Sequence, residues 1–152
     1  MSTVDWSAIR TALATQASGG TGIASATASA NGLEEIGSLP AVKVMLVTSI
    51  RIDDNRGGRV GTVHESREAP VVGLLLVDTS AGKGHGLWRA EPLVEQLFER
   101  SRVGIKLGLD YVEDAWLDSA DIGEVDFNGE TFIGAVLNWI VRVRQTDLSR
   151  TA

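Results

Sequence analysis

Strict alternation of side chains is clearest near the C-terminus, in FIGAVLNWIVRVR, Phe132 to Arg144. One row of alternate positions is wholly apolar: Ile133, Ala135, Leu137, Trp139, Val141 and Val143. The other row is mostly apolar until it ends in Arg142 and Arg144. Because successive side chains of a strand point to opposite faces, the pattern predicts a strand with one face in the core and a second face that is also partly covered.

A second alternating segment runs from Ala41 to Ile52, and it predicts one strand. One face of that strand would carry Val42, Val44, Leu46, Thr48, Ile50 and Ile52. The glycine pair in DDNRGGRVG allows the positive φ that a reversal needs, so residues 53–69 are expected to form a projecting hairpin. Pro70 would interrupt a central ladder, so the next buried strand is expected only after it, in VVGLLLVD.

Helical spacing appears twice, over Val4 to Thr15 and over Arg89 to Ser101. The segment TGIASATASANG, residues 21–32, is small and polar and is expected to form a flexible loop or arm. Asn128-Gly129 predicts a tight turn between a strand from Leu117 to Phe127 and the C-terminal strand. The sequence therefore predicts one α+β domain over residues 1–152. Its four-stranded, mainly antiparallel sheet would carry two helices packed on one face and a long projecting β-hairpin.

Composition narrows the classes of function. The chain has 152 residues, of which 43% are hydrophobic, enough for a sizeable core. It has no cysteine, no apolar run long enough to span a bilayer and no signal-peptide pattern, so we expect a soluble intracellular protein. The net charge of −6 argues against general affinity for nucleic acids.

Candidate catalytic motifs are weak. The loop SAGKGHG, residues 80–86, lacks the spacing of a phosphate-binding loop, so a flexible loop is the favoured interpretation. His64 and His85 stand in separate loops without a metal-binding spacing. The acidic segment from Asp110 to Asp126 lacks the spacing of a calcium loop and is expected to be a solvated surface. No catalytic residue, cofactor or metal is predicted.

The order of elements does resemble a known family. The pattern comprises an N-terminal helix, the entry Leu39 to Val42 into a strand, VVGLLLVD, the helix LVEQLFER and the final strand GETFIGAVLNWIVRVR. It looks like the tail terminator proteins of long-tailed bacteriophages, including the minor tail protein U type and related tail completion proteins. The resemblance covers about Val4 to Thr146 and is one of pattern and order, without a catalytic motif.

This resemblance implies a virion protein at the junction of tail and neck, assembled in the host cytoplasm. It implies a homo-oligomeric ring, typically of six subunits, that caps the tail tube protein, ends tube polymerisation and presents a surface to the head-closure protein of the neck. DNA would pass through the channel without sequence-specific binding. Arg142 and Arg144 would lie at the rim of an interface, where charge sets register and partner choice. Replacing both by Glu is expected to leave folding intact and to abolish capping.

Two further hypotheses concern charged residues. Arg56 and Arg59, at the tip of the expected hairpin, would grip a neighbouring subunit or the head-side connector, or belong to a mobile solvated loop. Asp118, Asp121 and Glu124 would line the channel and repel DNA, or belong to plain surface.

Two alternative functions stay open. One is another neck component, a head-closure or adaptor ring protein. The other is an enzyme that binds a small ligand or nucleotide around Gly82 to Gly86.

Overall fold

The chain folds into two α-helices and one sheet in the computed structural model, which describes residues 4–28, 36–56, 61–79, 86–102 and 107–150, with the side chains of 53–56, 61–64 and 145–150 left undescribed. The elements in chain order are α1 (Trp6–Ser18), β1 (Ser25–Ala28), β2 (Ala41–Val47), β3 (Arg51–Arg56), β4 (Gly61–Thr79), a short 3₁₀ turn (Leu87–Ala90), α2 (Glu91–Ser101), β5 (Val112–Phe127) and β6 (Glu130–Arg150). None of the helices in these segments has the length and apolar character needed to cross a membrane.

The sheet has six strands and is mixed, so the predicted four-stranded, mainly antiparallel sheet is wrong, although the α+β class holds. Its order is β1-β2-β4-β6-β5, and β3 pairs with β4 off this path. β1 runs parallel to β2, and the other pairs of neighbours are antiparallel.

The first extra strand lies inside the segment expected to be a loop. Residues 25–28 of that segment form β1, which pairs with Ala41–Val44 of β2. The Pro40 carbonyl accepts hydrogen bonds from the amides of Ala24 and Ser25, and Lys43 Nζ donates to Thr27 Oγ1 at 3.0 Å. β1 is held chiefly by backbone hydrogen bonds and by contact with α1. Its small side chains form no hydrophobic pattern, so the sequence did not predict this strand. The rest of the expected loop, from residue 29, lies outside the described residues.

The second extra strand arises because the segment 41–52 divides. A register shift interrupts the pairing of β2 with β4 between Val44 and Leu46, and β2 ends at Val47. β3 begins at Arg51 and pairs with β4 further along its length. Ile50 and Ile52, which alternation placed on one face with Val42 and Val44, are therefore 50% and 56% exposed, whereas the two valines are buried.

Pro70 does not interrupt the sheet, as β4 runs through it from Gly61 to Thr79. Its carbonyl accepts a hydrogen bond from the Thr48 amide at 3.1 Å, at the gap between β2 and β3. The N and C=O of a residue in an antiparallel strand point to the same side, so the missing N–H of Pro70 also faces that gap. The ladder with β6, in which Pro70 is paired with Ile140, is left complete.

Both helices pack on one face of the sheet, hereafter the helical face. The core there joins Ile9 and Leu13 of α1 and Val94 and Leu97 of α2 to the apolar row of β6, whose six members are all less than 5% exposed. α1 begins at its N-cap Asp5, whose Oδ1 accepts a hydrogen bond from the Ala8 amide at 3.1 Å.

Among the described residues, the opposite face, hereafter the open face, is covered at one end. Ile36 and Leu39 pack there on a smaller core of Ala41, Leu76, Val125, Phe127 and Phe132. At that end Asn128 and Gly129 have φ of 54° and 78°, and together they form the tight turn between β5 and β6.

At the other end of the sheet, β4 and β6 remain paired as far as Gly61 and Arg150. The buried apolar residues whose side chains are described stop at Ala69 in β4 and at Val143 in β6. The strands continue beyond the core with β3 alongside them, as a three-stranded ribbon of residues 51–56, 61–68 and 144–150. We call this element the ribbon. It has β6 as a third strand, in addition to the two expected of a hairpin, and residues 57–60 lie outside the described residues.

Candidate assembly surfaces

An ion-pair cluster stands on the open face where the ribbon leaves the core. Arg142 Nη2 lies 2.8 Å from Oε2 of Glu68, and Arg51 Nη2 lies 3.2 Å from Oε1 of the same carboxylate. The Arg142 guanidinium also lies 6.0 Å from the ring centroid of Trp116 on β5, within the range of a cation–π contact. One carboxylate thus joins β3, β4 and β6, and the arginine extends the contact to β5.

Arg144 takes part in a second group on the same face. Its Nη2 lies 3.6 Å from Oε2 of Glu113, whose Oε1 accepts a hydrogen bond from Ser66 Oγ at 3.0 Å. The structure therefore brings Arg142 and Arg144 to the base of the ribbon, where each contacts a carboxylate of its own chain. Their side chains are 38% and 45% exposed, so both still reach solvent.

Of the other two predicted arginines, Arg56 belongs to the ribbon. It is the last residue of β3 and stands opposite His64 of β4. Its side chain is outside the described part of the structure, and Arg59 lies outside the described residues altogether.

The three acidic residues predicted to line a channel all lie on β5, which ends the strand order of the sheet. All three are exposed, but they do not share one face. Asp121 stands opposite Val136 and Glu124 opposite Ile133, three positions apart, so their side chains point to opposite faces. Asp118 stands at a register shift and has no paired partner on β6. The structure supplies an acidic edge rather than one acidic row.

A groove that the sequence analysis missed lies between α1 and the connection from β2 to β3. Its volume is about 440 Å³, and its lining residues are Trp6, Arg10, Leu46, Val47, Ser49 and Ile50. Leu46 and Ile50 are each 50% exposed. Arg10 Nη1 donates to the Met45 carbonyl at 3.1 Å, which holds the guanidinium against the end of β2.

The alternating pattern could not have revealed this groove. The pattern continues through Thr48, although β2 ends at Val47 and the backbone there leaves the sheet. The only local signal was Pro70, and its partner Thr48 is 22 positions away in the chain. An unpaired proline nitrogen marks a place where a neighbouring strand stops, but the sequence does not say which strand.

In the described segments, no three His, Asp or Glu side chains are placed to hold a metal ion. Among the described residues, Asp78 at the end of β4 has a shifted pKa. A hydrogen bond from the Thr79 amide lowers the pKa of this carboxyl below its usual value of 3.8, and the Arg89 guanidinium lowers it further. Arg89 Nη1 lies 3.2 Å from Asp78 Oδ2, so the pair ties the 3₁₀ turn to the sheet. This interaction is structural, and residues 80–85 of the glycine-rich loop lie outside the described residues.

No protein-family model matches this chain, and no curated protein sequence matches it.

Proposed function

We propose that this chain is a structural protein of a bacteriophage virion, a tail terminator that forms a homo-oligomeric ring on the tail tube. The ring ends tube polymerisation and provides the docking surface for the head-closure protein of the neck. The observation that carries the proposal is the ribbon, since a three-stranded element that extends beyond its own core is suited to contact with another subunit. The family assignment itself rests on the resemblance in element order.

In the described part of the chain, the ribbon extends beyond the buried apolar side chains of the domain. Its pairing partners are its own three strands, and the core of the domain has ended where it begins. Three strands need a hydrophobic face or a packing partner for independent stability, and exposed strand edges are ready to pair with another chain. A neighbouring subunit would supply that partner, while the ion pairs of Glu68 and Glu113 order the base of the ribbon in the single chain.

The open face supports a second contact. Beside the ion-pair cluster it presents the half-buried side chains of Val72, Leu74, Trp116, Val136 and Ile140. Trp116 and Ile140 are paired across β5 and β6, and an aromatic residue beside aliphatic and arginine side chains is typical of interface centres. This face would meet the tube or the next component of the neck.

The charge of the chain suits a channel through which DNA passes. With a net charge of −6, the subunit would repel phosphates and not retain them. DNA therefore enters the proposal as cargo, without sequence-specific contacts.

The test is electron microscopy of the purified chain over a concentration series, with and without the tail tube protein encoded in the same genome. We expect rings with a central hole, and caps on tube ends that halt further growth of the tube. Monomers at every concentration, together with tubes that keep growing, would contradict the proposal.

A truncation after Arg144 tests the observation that carries it. This variant removes the β6 part of the ribbon except Arg144 but leaves the buried core residues of β6 up to Val143. We expect its thermal unfolding to stay close to that of the full chain, and its rings to be lost. Rings that form normally without residues 145–152 would remove the ribbon from the argument.

A further inference from the structure

Two exposed surfaces of unlike character lie towards opposite ends of the strand order of the sheet. The first is the groove of Trp6, Arg10, Leu46 and Ile50. Among the described residues, β1 pairs with β2 over Ala41–Val44, and Leu46 and Val47 follow beyond that pairing. Trp6 and Val47 pack against the helical-face core, whereas Leu46 is paired with Val72 of the open face, so the groove lies at the side of the sheet.

The second surface is the outer part of β5, at the far end of the strand order. Ile122 stands opposite Ala135, a member of the helical-face row of β6, and it is 39% exposed. Glu124, opposite Ile133, lies on the same face beside it and is also exposed. β5 carries six acidic residues and no basic one, so Ile122 is an apolar side chain in an acidic strand.

We propose that these two surfaces bind each other between copies of the chain, with Ile122 of one subunit in the groove of the next and Glu124 facing Arg10. The inference rests on the proposed ring and names the contact that would close it. The occupant of the groove is thus a second copy of this chain.

Charge and placement both favour a second copy. Among the described residues that line the groove, Arg10 is the one with a charge, and the strand that would enter it is acidic. For two subunits that each carry a net charge of −6, a contact that sets the one cation of the groove against a carboxylate is favoured over contacts that oppose acid to acid.

The placement also suits a ring. The groove and β5 lie towards opposite ends of the strand order β1-β2-β4-β6-β5. When each copy uses its groove toward one neighbour and its β5 toward another, the contact is head to tail, and head-to-tail contacts generate rings when the rotation between subunits closes.

The test uses sedimentation velocity of the full chain and of substituted variants over a concentration series. Ile50→Asp puts a charge into the groove, and Ile52→Asp is its matched control, because Ile52 is exposed to a similar degree, 56%, but does not line the groove. Glu124→Arg reverses the charge on β5, and Glu95→Arg, on the exposed side of α2, is the matched control.

We expect Ile50→Asp and Glu124→Arg each to raise the dissociation constant of self-association about tenfold or more, and each control to change it by less than about twofold. The double variant Arg10→Glu with Glu124→Arg should recover most of the affinity lost in Glu124→Arg, since the two charges would again be opposite. Thermal unfolding of each variant separates loss of association from loss of the fold.

Equal effects of Ile50→Asp and Ile52→Asp, or a double variant no better than Glu124→Arg alone, would overturn the inference. Tube capping then separates the two proposals. If the unsubstituted chain caps tubes and the groove variants cap them equally well, the interface is wrong and the terminator function stands. If the unsubstituted chain neither associates nor caps tubes, both proposals are wrong.

Discussion

Arg142 on β6 and Glu68 on β4 occupy paired register positions, and their side chains meet at 2.8 Å on the open face. The pair stands where the hydrophobic core ends and the ribbon begins. Because Glu68 also contacts Arg51 of β3, this carboxylate joins all three strands of the ribbon at its base. Charge at this position has a structural role within the chain as well as any role toward a partner.

Replacing Arg142 by Glu is therefore expected to lower the stability of the fold. The sequence alone had led us to expect that replacing Arg142 and Arg144 by Glu leaves folding intact. Arg142→Glu would place two carboxylates at paired positions, and it should lower the free energy of unfolding by about 1 kcal/mol, a modest value because both side chains are partly exposed. Urea unfolding measures the change. The control is Arg102→Glu, whose ion pair with Glu99 on α2 is 71% and 66% exposed and should matter by less than about 0.5 kcal/mol. Equal effects of the two reversals would show that the Glu68 pair has no special role.

Replacement by alanine should destabilise the fold strongly at Gly134 and only slightly, if at all, at Gly123. A Cβ on Gly134 would clash with the backbone carbonyl of Leu75 on β4, which cannot move without disturbing the ladder, so Gly134→Ala should cost about 3 kcal/mol or more. A Cβ on Gly123 would meet no atom within 4 Å, so Gly123→Ala should change stability by less than about 1 kcal/mol. Chemical denaturation of both variants provides the comparison, and a tolerated alanine at 134 would contradict the close approach of β4 and β6.

Trp139 and Trp88 differ in burial, so their replacement by alanine should affect stability to very different extents. Trp139 is 2% exposed in the main core, so Trp139→Ala should lower the free energy of unfolding by about 3–5 kcal/mol. Trp88 is 69% exposed, and Trp88→Ala should change it by less than about 0.5 kcal/mol. Thermal and urea unfolding of the two variants measure this difference. A large loss of stability in Trp88→Ala would mean that its ring is buried in the folded chain.

The Asp78 carboxyl should titrate below the usual Asp value of 3.8. Its pKa is lowered in the folded state, so its contribution to stability is present above the pKa of the unfolded chain and is lost as the pH falls through the folded value. The window is therefore acidic, below about pH 4. Carboxyl chemical shifts in an NMR titration give the midpoint. In Arg89→Ala the midpoint should rise only in part, because the Thr79 amide still donates; an unchanged midpoint would mean that Arg89 has no influence on it.

The sequence by itself determined the elements whose patterns are local. The buried row of β6 from Ile133 to Val143, the two helices and the Asn128-Gly129 turn could all be predicted, because period-two alternation, helical spacing and positive φ are properties of neighbouring residues. The acids of β5 and the arginines at 142 and 144 were likewise visible as charged residues.

The tertiary structure alone decided how many strands there are and which charges meet. β1 is held by backbone hydrogen bonds to Pro40 and by its parallel pairing with β2. The hydrophobicity pattern of its sequence, SATA, predicts neither interaction. The split between β2 and β3 depends on Pro70, and the partnership of Arg142 with Glu68 spans 74 positions of the chain. Backbone hydrogen bonds and ion pairs between distant segments depend on register, and register is set only when the strands pack together.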